Sequence, residues 1–104
     1  MSDVEYQSGD LIFEWDSEKA RINKRKHKVS FETAINVFFD ENRVEKLDEE
    51  HSDDEERWQV IGKVNGILFV IYTDREDRTR IISARKADKD ERPTIKSQEF
   101  NLIS

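Results

Sequence analysis

The stretch from Arg57 to Lys86 constrains the fold most, because its sequence predicts three consecutive antiparallel strands: RWQVIGKVNGILFVIYTDREDRTRIISARK. Asn65-Gly66 lies between two runs rich in β-branched and aromatic residues. A two-residue type I′ hairpin needs positive φ at both central positions, and Asn-Gly is the pair that best supplies it. A second tight turn is predicted at Glu76-Asp77. These three strands are therefore expected to form the centre of the domain.

Strand pairing around the two turns predicts which side chains face the core. The first turn sets Val64 against Ile67, and the second sets Tyr72 against Ile81. Because side chains alternate with period two, one face should be apolar and packed, and a one-residue slip would exchange the faces of a strand. The predicted core face carries Trp58, Val60, Ile67, Phe69, Ile71, Ile82 and Ala84. The opposite face is predicted to be partly open and carries Arg57, Gln59, Tyr72, Asp74, Ser83 and Arg85.

Two helices are predicted before these strands. Asp16 is a good N-cap for the first helix, which should run to about His27 with its cations at the end that the helix dipole favours. Ser30 is the N-cap of the second helix, which carries an apolar stripe at helical spacing and should end near Asp40. Between the helices, Lys28 occupies a place where glycine is the usual stop signal.

The remaining segments complete an α+β domain. The sequence predicts a short strand at residues 11–15, a fourth strand of the sheet at 43–47 and an acidic loop at 48–56. Residues 87–91 predict the start of a short C-terminal helix, which Pro93 stops or kinks. The predicted fold class is α+β, with two N-terminal helices packed on one face of a four-stranded, mostly antiparallel sheet.

Length and composition predict a single soluble domain. The 104 residues are expected to form one domain, with a loose N-terminus at 1–10, a globular core at 11–92 and a tail at 93–104. The chain has no cysteine, which excludes disulfides and is typical of a reducing compartment. No apolar run reaches the roughly 20 residues that a membrane helix requires, and the N-terminus lacks the layout of a signal peptide. We therefore expect a cytoplasmic protein with no membrane contact.

The distribution of charge matters more than its total. The net charge is -6, yet residues 19–28 hold six Lys or Arg and no acid, whereas residues 40–56 hold ten acids against two bases. A phosphate chain senses such surfaces separately, because charges more than about 10 Å apart are largely screened at ordinary salt. The basic block could therefore bind nucleic acid locally.

Several spaced blocks resemble one family of bacterial proteins. In order along the chain they are FEWDSEKARINKRKHKVSFETAINVFFD, ERWQVIG, a strand ending in TDR, and RIISARKADKDER. Together they resemble the BrnT family of toxins from type II toxin-antitoxin systems, over about Phe13 to Arg92. The chain departs from the family pattern at Lys28, where the family usually has glycine, and at Pro93, which interrupts a C-terminal helix that is generally longer.

This resemblance implies a RelE-like fold and a ribonuclease activity that arrests translation. It also implies neutralisation by a BrnA-type antitoxin, a ribbon-helix-helix protein that is expected to be dimeric. The antitoxin would let the complex repress its own operon, so operator DNA would be bound only through the antitoxin, whereas RNA would be the direct substrate.

A metal-free ribonuclease of this kind lets the 2′-hydroxyl of RNA attack the adjacent phosphate, so it needs proton-transfer groups and cations. His27 is the predicted proton acceptor, although it could instead only help to end its helix. Arg57 is best placed to grip a phosphate, because its planar fork matches two phosphate oxygens, and the alternative is an ion pair with Asp74. The candidate catalytic residues are Lys24, Lys26, His27, Arg57 and Arg75, and the candidate RNA-binding residues are Gln59, Tyr72, Ser83 and Arg85.

The sequence predicts no metal site and no cofactor. The acids at 53–56 are contiguous, unlike the spaced ligands of a calcium loop, and no His or Cys cluster exists. The leading hypothesis is a metal-independent endoribonuclease toxin. Two alternatives stay open, namely a non-catalytic toxin-like module that binds its antitoxin and supports operator repression, and a simple RNA-binding domain.

Overall fold

A computed structural model describes residues 2–52 and 54–92, which build one six-stranded mixed sheet with helices on one face. The predicted four-stranded, mostly antiparallel sheet was therefore wrong. The strands are β1 (Asp3–Ser8), β2 (Leu11–Asp16), β3 (Val44–Leu47), β4 (Trp58–Lys63), β5 (Ile67–Arg75) and β6 (Arg78–Lys86). Their order across the sheet is β1-β2-β6-β5-β4-β3, and β2 runs parallel to β6 whereas all other neighbours are antiparallel.

The N-terminal strand β1 was not predicted, because residues 2–10 are mostly polar. Only alternate positions of this edge strand need to be apolar, and two suffice. Val4 packs against the core, and the ring of Tyr6 stacks on Trp15 with centroids 5.9 Å apart. The hairpin that β1 forms with β2 extends the sheet beyond β6.

The two helices begin where their caps predict, but the second is not a regular α-helix along its length. Helix α1 (Ser17–His27) is capped by Asp16, whose carboxylate accepts a hydrogen bond from the N–H of Lys19 at 2.9 Å. It ends at Lys28, which has φ 62° in the left-handed region where glycine is usual. Helix α2 (Phe31–Ala34) is capped by Ser30 and continues as a 3₁₀ helix over Ile35–Phe39. A second 3₁₀ turn spans Glu49–His51.

The first hairpin turn contains three residues instead of two, and this shifts the register of β5. Lys63 pairs with Ile67, so Val64 joins Asn65 and Gly66 in the turn, in which Asn65 has φ 49° and Gly66 φ 134°. The one-residue shift turns over every side chain of β5. Ile67, Phe69 and Ile71, which were predicted in the core, therefore lie on the opposite face, and Leu68, Val70 and Tyr72 lie in the core.

The second turn, at Glu76-Asp77, confirms the prediction, since Arg75 pairs with Arg78 and Tyr72 with Ile81. An irregularity between Ile71 and Tyr72 then inserts one extra residue on β6. This bulge returns the rest of β6 to its predicted orientation, with Ala84 in the core. Residues 87–91, predicted to start a C-terminal helix, instead form an irregular segment and a turn, whereas the predicted tail at 93–104 lies outside the described part of the chain.

The main core lies between the sheet and the helices. Phe38 links two strands there, with its ring centroid 5.3 Å from that of Phe13 and 5.0 Å from that of Tyr72. The 3₁₀ segment approaches β4 so closely that a Cβ at Gly62 would lie 2.9 Å from the Cβ of Val37. Glycine at this position therefore sets how tightly the segment packs on the sheet.

Asn23 is buried in α1 and fastens the helix to the sheet. Its side chain accepts a hydrogen bond from the N–H of Ala84 at 3.1 Å and donates to the C=O of Ala84 at 2.8 Å. It also donates to the C=O of Val29 at 3.0 Å, just beyond the helix. Since β2 pairs with β6 only as far as Arg80, the amide of Asn23 takes the place of a neighbouring strand at Ala84. One side chain thus replaces a strand partner and positions α1.

Replacing Asn23 with alanine should lower the free energy of unfolding by about 3 kcal/mol, because it leaves buried backbone groups without partners. Urea unfolding followed by circular dichroism measures this change. Asn36→Ala is the matched control, since Asn36 is exposed and bonds only to carbonyls of its own helical segment. That variant should stay within about 0.5 kcal/mol of the parent, and equal losses for both variants would contradict the role of Asn23.

Candidate nucleic-acid interface

The face of the sheet opposite the helices, termed the open face, carries a shallow depression of about 400 Å³. Strands β3 to β6 supply most of its walls, and the turn after β6 closes one side. Three of the lining residues were predicted to bind RNA. The lining also includes apolar residues on its floor and three acids. Its residues are Lys46, Asp48, Glu50, Gln59, Phe69, Ile71, Ser83, Arg85 and Glu91.

Arg85 is the most constrained cation of this depression. Its guanidinium lies over the ring of Phe69, 4.2 Å from the centroid, and donates to both carboxylate oxygens of Glu91 at 2.8 Å. The hydrogen bond from Arg85 lowers the pKa of Glu91, and the same bond raises the pKa of Arg85. Both groups are therefore charged at neutral pH, and the planar fork of Arg85 already faces a carboxylate.

The segment that follows β6 is folded back by Glu91. The N–H of Asp88 donates to Glu91, and the carboxylate of Asp88 accepts from the N–H of Glu91, at 2.9 and 2.8 Å. This reciprocal pair is a capping box, in which each residue satisfies the other's backbone donor. Ala87 is buried against Ile61 and Phe69. The turn therefore covers one end of the open face.

Three of the four predicted RNA-binding residues come together here. Gln59, Ser83 and Arg85 line the depression, whereas Tyr72 lies in the core, where its hydroxyl donates to Glu45. Burial, and then that hydrogen bond, raise the pKa of Tyr72, so it holds its proton. Placing Tyr72 on the open face was wrong, because the three-residue turn reverses the faces of β5.

The structure places Arg75 at the far end of β5, in an ion-pair cluster. Arg75 binds Glu55 at 2.9 Å, and this bond, followed by the nearby charges of Arg75, Arg57 and Arg80, lowers the pKa of Glu55. Arg57 is half-buried, and its C=O accepts a hydrogen bond from the N–H of Asp48 at 2.8 Å. The charges of Arg75 and Arg57 both act on the carboxylate of Glu55. The role of Arg57 and Arg75 in binding a phosphate stays a prediction.

Arg78 and Arg80 belong to the same cluster, and carboxylates of the β1–β2 hairpin neutralise their charges. Arg80 binds Glu14 at 2.6 Å and Asp3 at 3.1 Å, and Arg78 pairs with Glu5. Strand β1 was not predicted from the sequence. The acids of β1 and β2 that neutralise this end of the open face were therefore missed.

The three predicted catalytic residues of α1 lie across the sheet from the depression. Lys26 and His27 line a groove of about 190 Å³ between α1 and Ile82 of β6. Lys24 lines another cleft, of about 280 Å³, beside Trp15 and Phe31. Lys26 and His27 are therefore neighbours, but the sheet separates them from the open face. Their catalytic role stays a prediction.

Lys46 and Glu91 were not singled out from the sequence. Lys46 pairs directly with Gln59 across β3 and β4, so the register of the predicted fourth strand could have placed it beside that residue. The role of Glu91 could have been predicted from the capping box Asp88-x-x-Glu91, whose spacing is visible in the sequence. Within residues 2–52 and 54–92, no three potential ligand side chains gather as a metal site. Over the same residues, no helix has the length and apolar character needed to cross a membrane.

Glu91→Gln should destabilise the protein by about 1 kcal/mol at pH 7, because it removes a partly exposed ion pair. The pKa of Glu91 is lowered from 4.5 in the folded state, so the stabilisation is present above that value and is lost as pH falls below it. Urea unfolding at pH 7 and at acid pH measures the difference, which should shrink in acid. Glu41→Gln, at an exposed glutamate, is the control, and a pH-independent difference would contradict the assignment.

Comparison with known proteins identifies the family. A family model described as "Ribonuclease toxin, BrnT, of type II toxin-antitoxin system" matches residues 15–91. Among curated proteins, no sequence matches the chain. The crystal structure of the Brucella abortus ribonuclease toxin BrnT is similar, with 25% sequence identity and a TM-score of 0.55, and the match covers 72% of this chain and 94% of that one. The chain therefore belongs to the BrnT family of ribonuclease toxins of type II toxin-antitoxin systems.

Proposed function

We propose that this toxin is an endoribonuclease that cleaves RNA in the depression of its open face and thereby inhibits translation. In this reaction the oxygen of a ribose 2′-hydroxyl attacks the adjacent phosphorus, which forms a 2′,3′-cyclic phosphate and breaks the bond to the 5′-oxygen of the next nucleotide. A carboxylate of the depression takes the 2′-hydroxyl proton, water returns a proton to the departing 5′-oxygen, and no metal is required. The observation that carries the proposal is the convergence of Gln59, Ser83 and Arg85 with Lys46 around one depression. These groups come from the three strands β3, β4 and β6, and the sheet holds them in fixed relative positions.

Arg85 and Lys46 supply the positive charge that the reaction needs. Negative charge builds on the phosphoryl oxygens in the transition state, and one well-placed donor typically contributes about 3 kcal/mol. The carboxylate of Glu91 now occupies both arms of the Arg85 fork. A phosphate presents oxygens with matching geometry, so RNA would replace Glu91 at Arg85. Gln59 and Ser83 would then hydrogen-bond the flanking ribose or base.

A second placement of the chemistry is the groove on α1. Lys26 and His27 line it together with Lys19, and among the described residues no acid lines it. His27 would accept the proton of the 2′-hydroxyl there, and Lys26 would contact the phosphate, with Lys24 close by on the same helix. Arg57 and Arg75 would act on the other side of the sheet, where they would contact a neighbouring stretch of RNA.

Membership of a type II toxin family implies an antitoxin partner. We propose that this partner is a BrnA-type ribbon-helix-helix dimer that neutralises the toxin in the cytoplasm. The complex would repress its own operon, with the antitoxin making the contacts to operator DNA. The bases of residues 19–28 offer an acidic partner a surface that the net charge of -6 does not suggest.

RNA cleavage in EDTA separates the two placements. Arg85→Ala should lower kcat/KM about 100-fold, because it removes a charge-stabilising donor, while Lys26→Ala and His27→Ala should cleave as well as the parent if the open face is the site. The measurement uses a long RNA with end-labelled products and purified, antitoxin-free protein.

Arg25→Ala is the control for the loss of one arginine, since Arg25 is exposed on α1 and lines neither site. Thermal unfolding checks that each variant is folded. Full activity of Arg85→Ala together with loss of activity in Lys26→Ala and His27→Ala would move the site to α1. An EDTA-sensitive parent would refute the metal-independent mechanism.

A further inference from the structure

The groove between α1 and β6, termed the α1 groove, differs in character from the depression of the open face. It is lined by Lys19, Ile22, Asn23, Lys26, His27 and Ile82. Among residues 2–52 and 54–92, this lining contains three bases, two aliphatic side chains and one amide, and no acid. The open-face depression, in contrast, includes Asp48, Glu50 and Glu91. The α1 groove is therefore attractive to an anionic ligand that also carries apolar groups.

Ile22 is the central observation. Its side chain is 49% exposed, the largest exposed fraction among the large hydrophobic residues of the described chain. Lys19 and Lys26 lie three and four residues away on the same face of α1, on either side of Ile22. Ile82 of β6 lies across the groove. An aliphatic contact flanked by two cations is thus presented to solvent.

The groove is also rigid. Asn23, in its wall, makes three hydrogen bonds to the backbone of Ala84 and Val29, which fix α1 against β6. A preformed surface loses little conformational entropy when a partner binds. Such a surface suits a ligand that orders itself on the toxin.

The chemistry favours a protein segment over RNA. Proteins usually bind single-stranded RNA through aromatic stacking and phosphate contacts, and neither uses an exposed isoleucine. An amphipathic protein segment can use both the isoleucines and the lysines of the groove. Its aliphatic side chain would pack on Ile22 and Ile82, and its carboxylates would pair with the lysines. Electrostatic attraction would also accelerate encounter with such a partner.

We infer that the α1 groove is the docking site for an acidic segment of the antitoxin, which inserts an aliphatic side chain beside Ile22 and places carboxylates on Lys19 and Lys26. This inference rests on the antitoxin named in the proposed function. The segment anchors the antitoxin on the side of the sheet opposite Arg85. Anchoring and inhibition are then separate contacts of one partner.

The test measures binding of the co-encoded antitoxin to the full toxin by isothermal titration calorimetry. Ile22→Ser should weaken binding about tenfold or more, because it removes the burial of one aliphatic side chain. Lys19→Glu should weaken it comparably, and the salt dependence of the affinity should decrease. RNA cleavage by antitoxin-free Ile22→Ser should match that of the parent.

Each variant has a matched control. Leu11→Ser removes another exposed aliphatic side chain, 39% exposed on β2, and Arg25→Glu makes the same charge reversal elsewhere on α1. Both controls should bind the antitoxin within about twofold of the parent. Equal weakening by controls and test variants would overturn the inference.

Three outcomes separate this inference from the proposed function. Unchanged antitoxin affinity in Ile22→Ser and Lys19→Glu overturns the docking site and leaves cleavage on the open face intact. If Lys19→Glu loses RNA cleavage but binds the antitoxin as the parent does, the docking site is overturned and the α1 groove is instead an RNA-binding site. Weakened antitoxin binding in both variants supports the docking site even if the parent cleaves no RNA.

Discussion

The hydrogen bonds between Asn23 and the backbone of Ala84 fasten helix α1 to strand β6. Strand β6 lies in the middle of the sheet, yet β2 pairs with it only as far as Arg80, so no strand of the described chain pairs with β6 on that side at Ala84. The amide of Asn23 satisfies both backbone groups there. Asn23 of helix α1 therefore makes the hydrogen bonds that a neighbouring strand would make. These bonds also position the basic residues of α1 relative to β6.

The helix caps and the second turn could be predicted, because they depend on residues that are close in the sequence. The strand register could not be predicted, because it depends on whether the first turn contains two or three residues. Asp16 and Ser30 cap their helices and Glu76-Asp77 forms its turn, because each depends on neighbours in the sequence. At Asn65-Gly66 the same logic identified a hairpin but not its length, and the added Val64 reversed β5. The parallel contact of β2 with β6 joins residues about 65 positions apart, which no local pattern encodes.

The candidate site was predicted in part for the same reason. Gln59, Ser83 and Arg85 meet because the three-residue turn reverses β5 and the first part of β6, and the bulge in β6 then restores the predicted orientation from Ser83 onward. Tyr72 lies on β5 and is lost to the core. Lys26 and His27 are on an opposite surface because α1 packs on the far side of the sheet. A cluster of basic residues in the sequence therefore does not place all the predicted cations around one phosphate.

The N-terminal hairpin has a consequence for how the family domain is delimited. The family match starts at residue 15, so β1 and most of β2 lie outside it. Their acids nevertheless contact Arg78 and Arg80. Removing residues 1–10 would delete Asp3, Glu5 and Asp10 and change the net charge from -6 to -3. A protein trimmed in this way would leave Arg78 without Glu5 and Arg80 without Asp3, and would uncover the hydrogen-bonding edge of β2. This end would then be less acidic and more prone to pair with another strand than in the 104-residue chain.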